Sequence, residues 1–208
     1  GKQHQRVILA YLRQGQQAIT SAARPKLLEG FDLLHHAYLF VGNTRYSFRL
    51  LYTLHVDEPF AASFMAQLLQ MKEVARQQEA LRATYARQIV LRLRTEGLSL
   101  QGAGANLLLA YCLYFWESFA TGYAFEIEIL RDLTDSGVNY QAHDLRNRQS
   151  RLSVYDLRVL GLYGDIKTSL YFLHTERGRG LPHDFYITRI YEGERQHTLV
   201  VMLQLEAW

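Results

Sequence analysis

Between Tyr155 and Ser169 the chain reads YDLRVLGLYGDIKTS, two short apolar runs that carry acids and are separated by a turn expected over Gly161 to Gly164. In a strand, side chains alternate between faces, so Asp156 and Arg158 point away from Tyr155, Leu157 and Val159, while Asp165 and Lys167 share a face on the following strand. Paired as a hairpin, the segment brings two carboxylates and one ammonium to a single patch. Carboxylate oxygens at close range suit a hard cation such as Mg2+ or Mn2+. A bound cation of that kind provides the nucleophile and the charge neutralisation that phosphodiester hydrolysis requires.

Lys167 stands out by its type. The chain has only four lysines, at positions 2, 26, 72 and 167, against nineteen arginines, so a cation needed merely for solvation would here be arginine. An ammonium is a compact charge whose pKa responds to burial, and it can orient or deprotonate a water where guanidinium cannot. A further carboxylate is expected from the helix that precedes the hairpin. Glu126 is followed at i+3, i+4 and i+7 by Ile129, Leu130 and Leu133, which places it on the core-facing stripe, whereas Glu128 aligns with Arg131 and Asp132. An acid on an apolar stripe is costly unless it is paired or metal-bound, which favours Glu126.

The order of a helix bearing Phe125-Glu126, a strand entered through Gly137-Val138, and a hairpin bearing Asp156 and Asp165-Ile166-Lys167 resembles the PD-(D/E)XK nuclease superfamily over roughly Tyr123 to Leu205. The resemblance implies a restriction-endonuclease-like core of helix and mixed sheet. It further implies Asp156 and Asp165 as ligands of Mg2+ or Mn2+ with the backbone carbonyl of Ile166, Lys167 assisting the attacking water, and Glu126 as the helix acid. The chain departs from the motif in having Tyr155 where a proline usually precedes the first acid, and the interval between its two acids is short. The implied function is a metal-dependent nuclease acting on DNA or RNA. The alternative is a catalytically inactive nucleic-acid- or protein-binding module on the same fold.

Cations bracket the hairpin, with Arg146, Arg148 and Arg151 before it and Arg177 and Arg179 after it; phosphate positioning is the role expected of them. The 208-residue chain has a net charge of +3, but residues 1–100 hold 13 Lys and Arg against 7 Asp and Glu, and the remainder 10 against 13. A basic half that grips a polyanion and an acidic half that holds a metal would produce this division. Two other histidine patterns carry less. Arg49 and His55 have the spacing of HEPN-type ribonucleases, which place both on a helix, yet here they fall in an alternating run. His143-Asp144 matches the metal dipeptide of HD phosphohydrolases without a second histidine pair, and reads as a surface pair.

The positioning elements follow from periodicity. Helices are expected over Gln5–Ile19 and Lys26–Tyr38, a strand over Arg45–Val56 with a hairpin turn at Gly42-Asn43, and helix from Asp57 as N-cap to near Gly97. The uncharged run Gln101–Trp116, too short for the roughly 20 residues of a membrane span, reads as a buried core helix and contains the single cysteine, Cys112. Helix is expected again over Tyr123–Thr134 with a stop at Gly137. Short strands are then expected at Val138–Ala142, Val154–Leu160, Gly164–Thr168, Phe185–Tyr191 and Leu199–Leu205. The fold class expected is α/β or α+β, with a mainly helical basic region over 1–101 and a nuclease-like core over 102–208. No secretory signal is legible in the chain as given, so a cytoplasmic protein without membrane partners is expected, alone or as a homodimer or larger complex.

Overall fold

A computed structural model describes residues 33–41, 43–95, 103–168, 172–175, 180–192 and 195–203. The helix expected over Gln5–Ile19 and the start of that over Lys26–Tyr38 lie outside them. At Tyr38 the chain is already extended: β1 (Tyr38–Val41) turns through Asn43 into antiparallel β2 (Thr44–Ser47), the hairpin expected at Gly42-Asn43.

The long strand expected over Arg45–Val56 is not formed. Only β2 is extended; α1 (Phe48–Tyr52), a π-helical turn (Thr53–Asp57) and α2 (Glu58–Gln70) follow without a break. Ser47 decides the switch, because its hydroxyl accepts the backbone N–H of Leu50 at 3.1 Å and so caps a helix where a strand could have continued. Burial follows the helical period. Phe48, Leu51 and Val56 are buried, while Leu50 and Leu54, which alternation would have hidden, are 45% and 50% exposed. Arg49 and His55 therefore lie on helical backbone, not on a strand, and Asp57 lies within helix, not at its start.

Two more helices complete the helical part, α3 (Val74–Thr95) and α4 (Ala103–Asp135). The described chain divides into two compact units. One comprises the residues up to Phe64 and Glu79–Ala120; the other comprises Met65–Gln78 and the chain from Thr121 onward. The first half of α4 thus lies in the first unit and the second half in the other. In the first unit an aromatic core gathers on α4. Trp116 is fully buried, stacks on Tyr85 at 5.7 Å and meets Phe64 edge-on at 5.1 Å. The run expected as a core helix is one, with Leu108, Tyr111, Cys112 and Trp116 all buried.

In the second unit α4 ends as Gly137 predicts. Gly137 takes φ +68, its N–H donates to Thr134 O at 3.0 Å and that of Val138 to Leu133 O at 2.9 Å, the paired bonds of a Schellman stop. The chain then builds one mixed sheet in sequence order from β3 (Tyr140–Ala142), β4 (Leu157–Val159), β5 (Leu162–Lys167), β6 (Phe185–Glu192) and β7 (Arg195–Met202). Two short helices, α5 (Arg148–Arg151) and α6 (Phe172–Thr175), fall between strands. All neighbours are antiparallel except β5 and β6, which run parallel with Asp165 opposite Tyr186. The β4–β5 turn is the tight pair Leu160-Gly161, both at positive φ, so Gly164 is a strand residue and not part of the turn. One sheet face packs on α4, with Leu157, Phe185 and Ile187 against Phe125 and Ile129 and with Ile166 at the margin. Alternation along β5 then sends Asp165 and Lys167 to the other face. No helix among the described residues is long and apolar enough to cross a membrane.

Candidate functional site

Asp156 lies immediately before β4, and two backbone bonds tie it to β5. Its N–H donates to Gly164 O at 3.0 Å, and its Oδ2 accepts the Ile166 N–H at 2.6 Å. Extending the register of Leu157 with Gly164 sets Asp156 opposite Asp165, carboxyl beside carboxyl. Burial, the bond to Asp165 and the charges of Glu126 and Asp165 together push the Asp156 carboxyl up to about 8, opposed only by the Ile166 N–H.

On one side of Asp156 stands the pair expected from the sequence. Lys167 Nζ lies 2.6 Å from Asp165 Oδ2, with the lysine side chain 40% exposed and the aspartate 10%. His183, buried just ahead of β6, approaches the same oxygen at 3.6 Å. These groups and Arg151 line a cavity of about 360 Å3 together with Asp156 and Val154.

On the other side stands a group the sequence reading did not assemble. Glu126, buried on α4 as its stripe position predicts, places Oε1 3.0 Å from His143 Nε2; their side chains are only 7% and 5% exposed. One ligand atom from each of Glu126, His143 and Asp156 falls within 4.8 Å of the others, a spacing that one cation can span. The two atoms face each other as an ion pair when the imidazole is protonated, and neither has another hydrogen-bond partner among the described residues. The far ring nitrogen of His143 donates to Tyr155 O at 3.3 Å. Burial works against a positive His143, but the neighbouring Glu126, the Tyr155 carbonyl and Asp156 outweigh it and hold its pKa above the ordinary value. Thus His143 is not half of a surface His-Asp pair. It lies on the wall of a second cavity of about 480 Å3, while Asp144 faces solvent.

No protein-family model, curated protein or solved structure matches this chain. The site must therefore be read from its own geometry. Asp156, Asp165, Lys167 and Glu126 are brought together as expected. Ile166 contributes its N–H to Asp156, and its side chain packs on the core. Of the bracketing arginines, Arg151 reaches the cavity wall, its guanidinium donating to Leu145 O at 2.9 Å. Arg146 is exposed and bonds Asp144 at 3.0 Å, and Arg148 lies on α5. Arg177 and Arg179 lie outside the described residues. Glu128, partly buried on α4, pairs with Arg189 of β6, whose guanidinium sits 4.2 Å above the Phe125 ring.

Two functional candidates, His143 and His183, were missed by spacing alone. Each stands just outside a strand end, His143 after β3 and His183 before β6, where a side chain can turn toward the neighbouring hairpin. For His183 that placement was the only signal, whereas His143 also stood in the His143-Asp144 dipeptide; both become meaningful once the strand order is known.

Proposed function

We propose that this chain is a metal-dependent phosphodiesterase acting on nucleic acid. The observation that carries the reading is the position of Asp156, shared between a buried Glu126–His143 pair and the Asp165–Lys167 pair facing a cavity. A buried imidazole nitrogen and two carboxyls within 4.8 Å of one another fit a divalent cation, because its charge offsets the burial and the neighbouring carboxylates that otherwise hold a proton on Asp156.

Glu126, His143 and Asp156 would hold the cation, with Asp165 adjoining through Asp156. The bound cation supplies charge neutralisation at the phosphate and acidifies a water. Lys167, held at 2.6 Å by Asp165 and partly exposed to the cavity, would orient an attacking water there. Arg151 on the cavity wall and the excess of cations over residues 1–100 offer sequence-independent contacts to phosphates. The same contacts serve DNA and RNA alike.

The direct test is cleavage of single- and double-stranded DNA and RNA by the full chain, with manganese, magnesium or chelator. Metal-dependent cleavage that Asp156→Asn removes, while the variant still unfolds cooperatively and is at least as stable as the wild type without metal, is the expected result. Nucleic-acid binding with no cleavage on any substrate or metal would favour the non-catalytic binding module instead.

A further inference from the structure

Magnesium takes oxygen ligands in near-ideal octahedral geometry, whereas imidazole nitrogen suits borderline first-row transition ions. Sequence reasoning expected an all-oxygen site of Asp156, Asp165 and the Ile166 carbonyl. The structure instead points a nitrogen into the cluster. His143 Nε2 is buried, 3.0 Å from Glu126 Oε1 and within 4.8 Å of a ligand oxygen of Asp156.

The tautomer is set from behind. The Tyr155 carbonyl, 3.3 Å from Nδ1, accepts the ring proton there and turns Nε2 toward Glu126 and Asp156, where a cation would take the place of its proton. A backbone carbonyl behind a ligating histidine is the usual device that fixes ring orientation and raises basicity at a metal site. Tyr155 immediately precedes Asp156, so one stretch of backbone both orients the histidine and positions a carboxylate. With Nδ1 donating to that carbonyl, a positive charge is needed between Nε2 and Glu126 Oε1 at 3.0 Å, supplied by a proton on the ring or, in its place, by a cation.

Resting on the metal-dependent reading above, we infer that Glu126, His143 and Asp156 form a mixed nitrogen–oxygen centre that selects a first-row transition cation, with manganese its weakest taker, over magnesium. His143 is the residue that discriminates. Asp156 and Glu126 bind either class of ion by charge, but only the imidazole distinguishes them.

The test uses the full chain, dialysed against chelator and titrated calorimetrically with magnesium, manganese, cobalt and zinc. The expected order of affinity is magnesium, manganese, cobalt, zinc, with manganese at least roughly tenfold above magnesium. His143→Ala should lower manganese affinity by roughly tenfold or more and leave magnesium within roughly threefold. His143→Asp, an all-oxygen triad, should bring the two ions to near parity. Pulsed EPR on the wild-type manganese complex needs no variant and should show nitrogen coupling from an imidazole. Equal magnesium and manganese affinities without nitrogen coupling would overturn the inference and leave the metal-dependent reading standing. Failure of every ion to bind would overturn both.

Discussion

Because the Asp156 carboxyl is held near pH 8 by burial and by the neighbouring Asp165 and Glu126, a cation must displace a proton to bind there. Affinity should therefore depend on pH in a calculable way. With a proton-binding constant corresponding to about 8, apparent manganese affinity falls below its high-pH limit about twofold at pH 8, 11-fold at pH 7 and 100-fold at pH 6. Roughly nine-tenths of a proton per metal should be released from Asp156 at pH 7, and His143, also held above its ordinary value, adds to the count as pH falls. Calorimetry at pH 6, 7 and 8 in two buffers of different ionisation enthalpy reads both quantities. The stability of metal-free protein carries the same sign. A folded pKa above the unfolded value of 3.8 means that the folded state binds the proton more tightly, so stability is greatest below about pH 4 and declines through pH 8. The slope contributed is at most about 1.4 kcal/mol per pH unit. Saturating manganese should abolish the decline, and Asp156→Asn should flatten it without metal. A manganese affinity unchanged between pH 6 and 8 would refute the account of Asp156 as a protonated ligand in waiting.

Other perturbations test separate parts of the structure. Lys167→Arg and Lys167→Ala should each lower turnover by roughly 100-fold or more while manganese binding persists, because guanidinium is wider and permanently charged; single-turnover kinetics with calorimetry separates the two effects. Arg189→Ala leaves the partly buried Glu128 without its ion-pair partner and should cost roughly 1 to 3 kcal/mol in denaturant unfolding, whereas an unchanged unfolding curve would mean the pair is effectively solvated. Gly164→Ala would place a methyl 2.1 Å from the Phe185 ring, a cost of at least about 1 to 3 kcal/mol, and Phe185→Leu in the same chain should recover much of the loss in thermal denaturation. Arg49→Ala and His55→Ala should leave metal-dependent cleavage intact. Should either abolish a metal-independent RNA cleavage instead, catalysis would belong to the helical unit that carries them.

Much of the second unit was legible because its signals are local. Gly137 stops a helix wherever it follows an apolar stripe, and five short turn-bounded runs became five strands within a few residues of their expected limits. Asp165 and Lys167 share a face by strand alternation, and Glu126 is buried because Ile129, Leu130 and Leu133 of its stripe do pack on the core. Where two periods fit one run, the reading failed. From Tyr46 onward every second residue is apolar, yet Phe48, Leu51 and Val56 also lie on one helical side, and the choice rested on the Ser47 hydroxyl. His143 could not be foreseen for a different reason. Its burial depends on β3 pairing with β4 and on Glu126 arriving from α4, relations between distant segments that no local pattern encodes.

The parallel pairing of β5 with β6 gives the centre an order of assembly. Asp156 and Asp165 are joined by a hairpin whose turn is two residues, so they can meet early in folding. His183 and the strand that backs Asp165 arrive only after a crossover, and non-local parallel pairing is slow because the loop must close before any contact rewards it. On a ribosome, a nascent chain ending before β6 would hold its carboxylates with one flank open to solvent. The buried wall that His183 and Tyr186 give the cavity beside Asp165 is thus completed after the acids themselves have met.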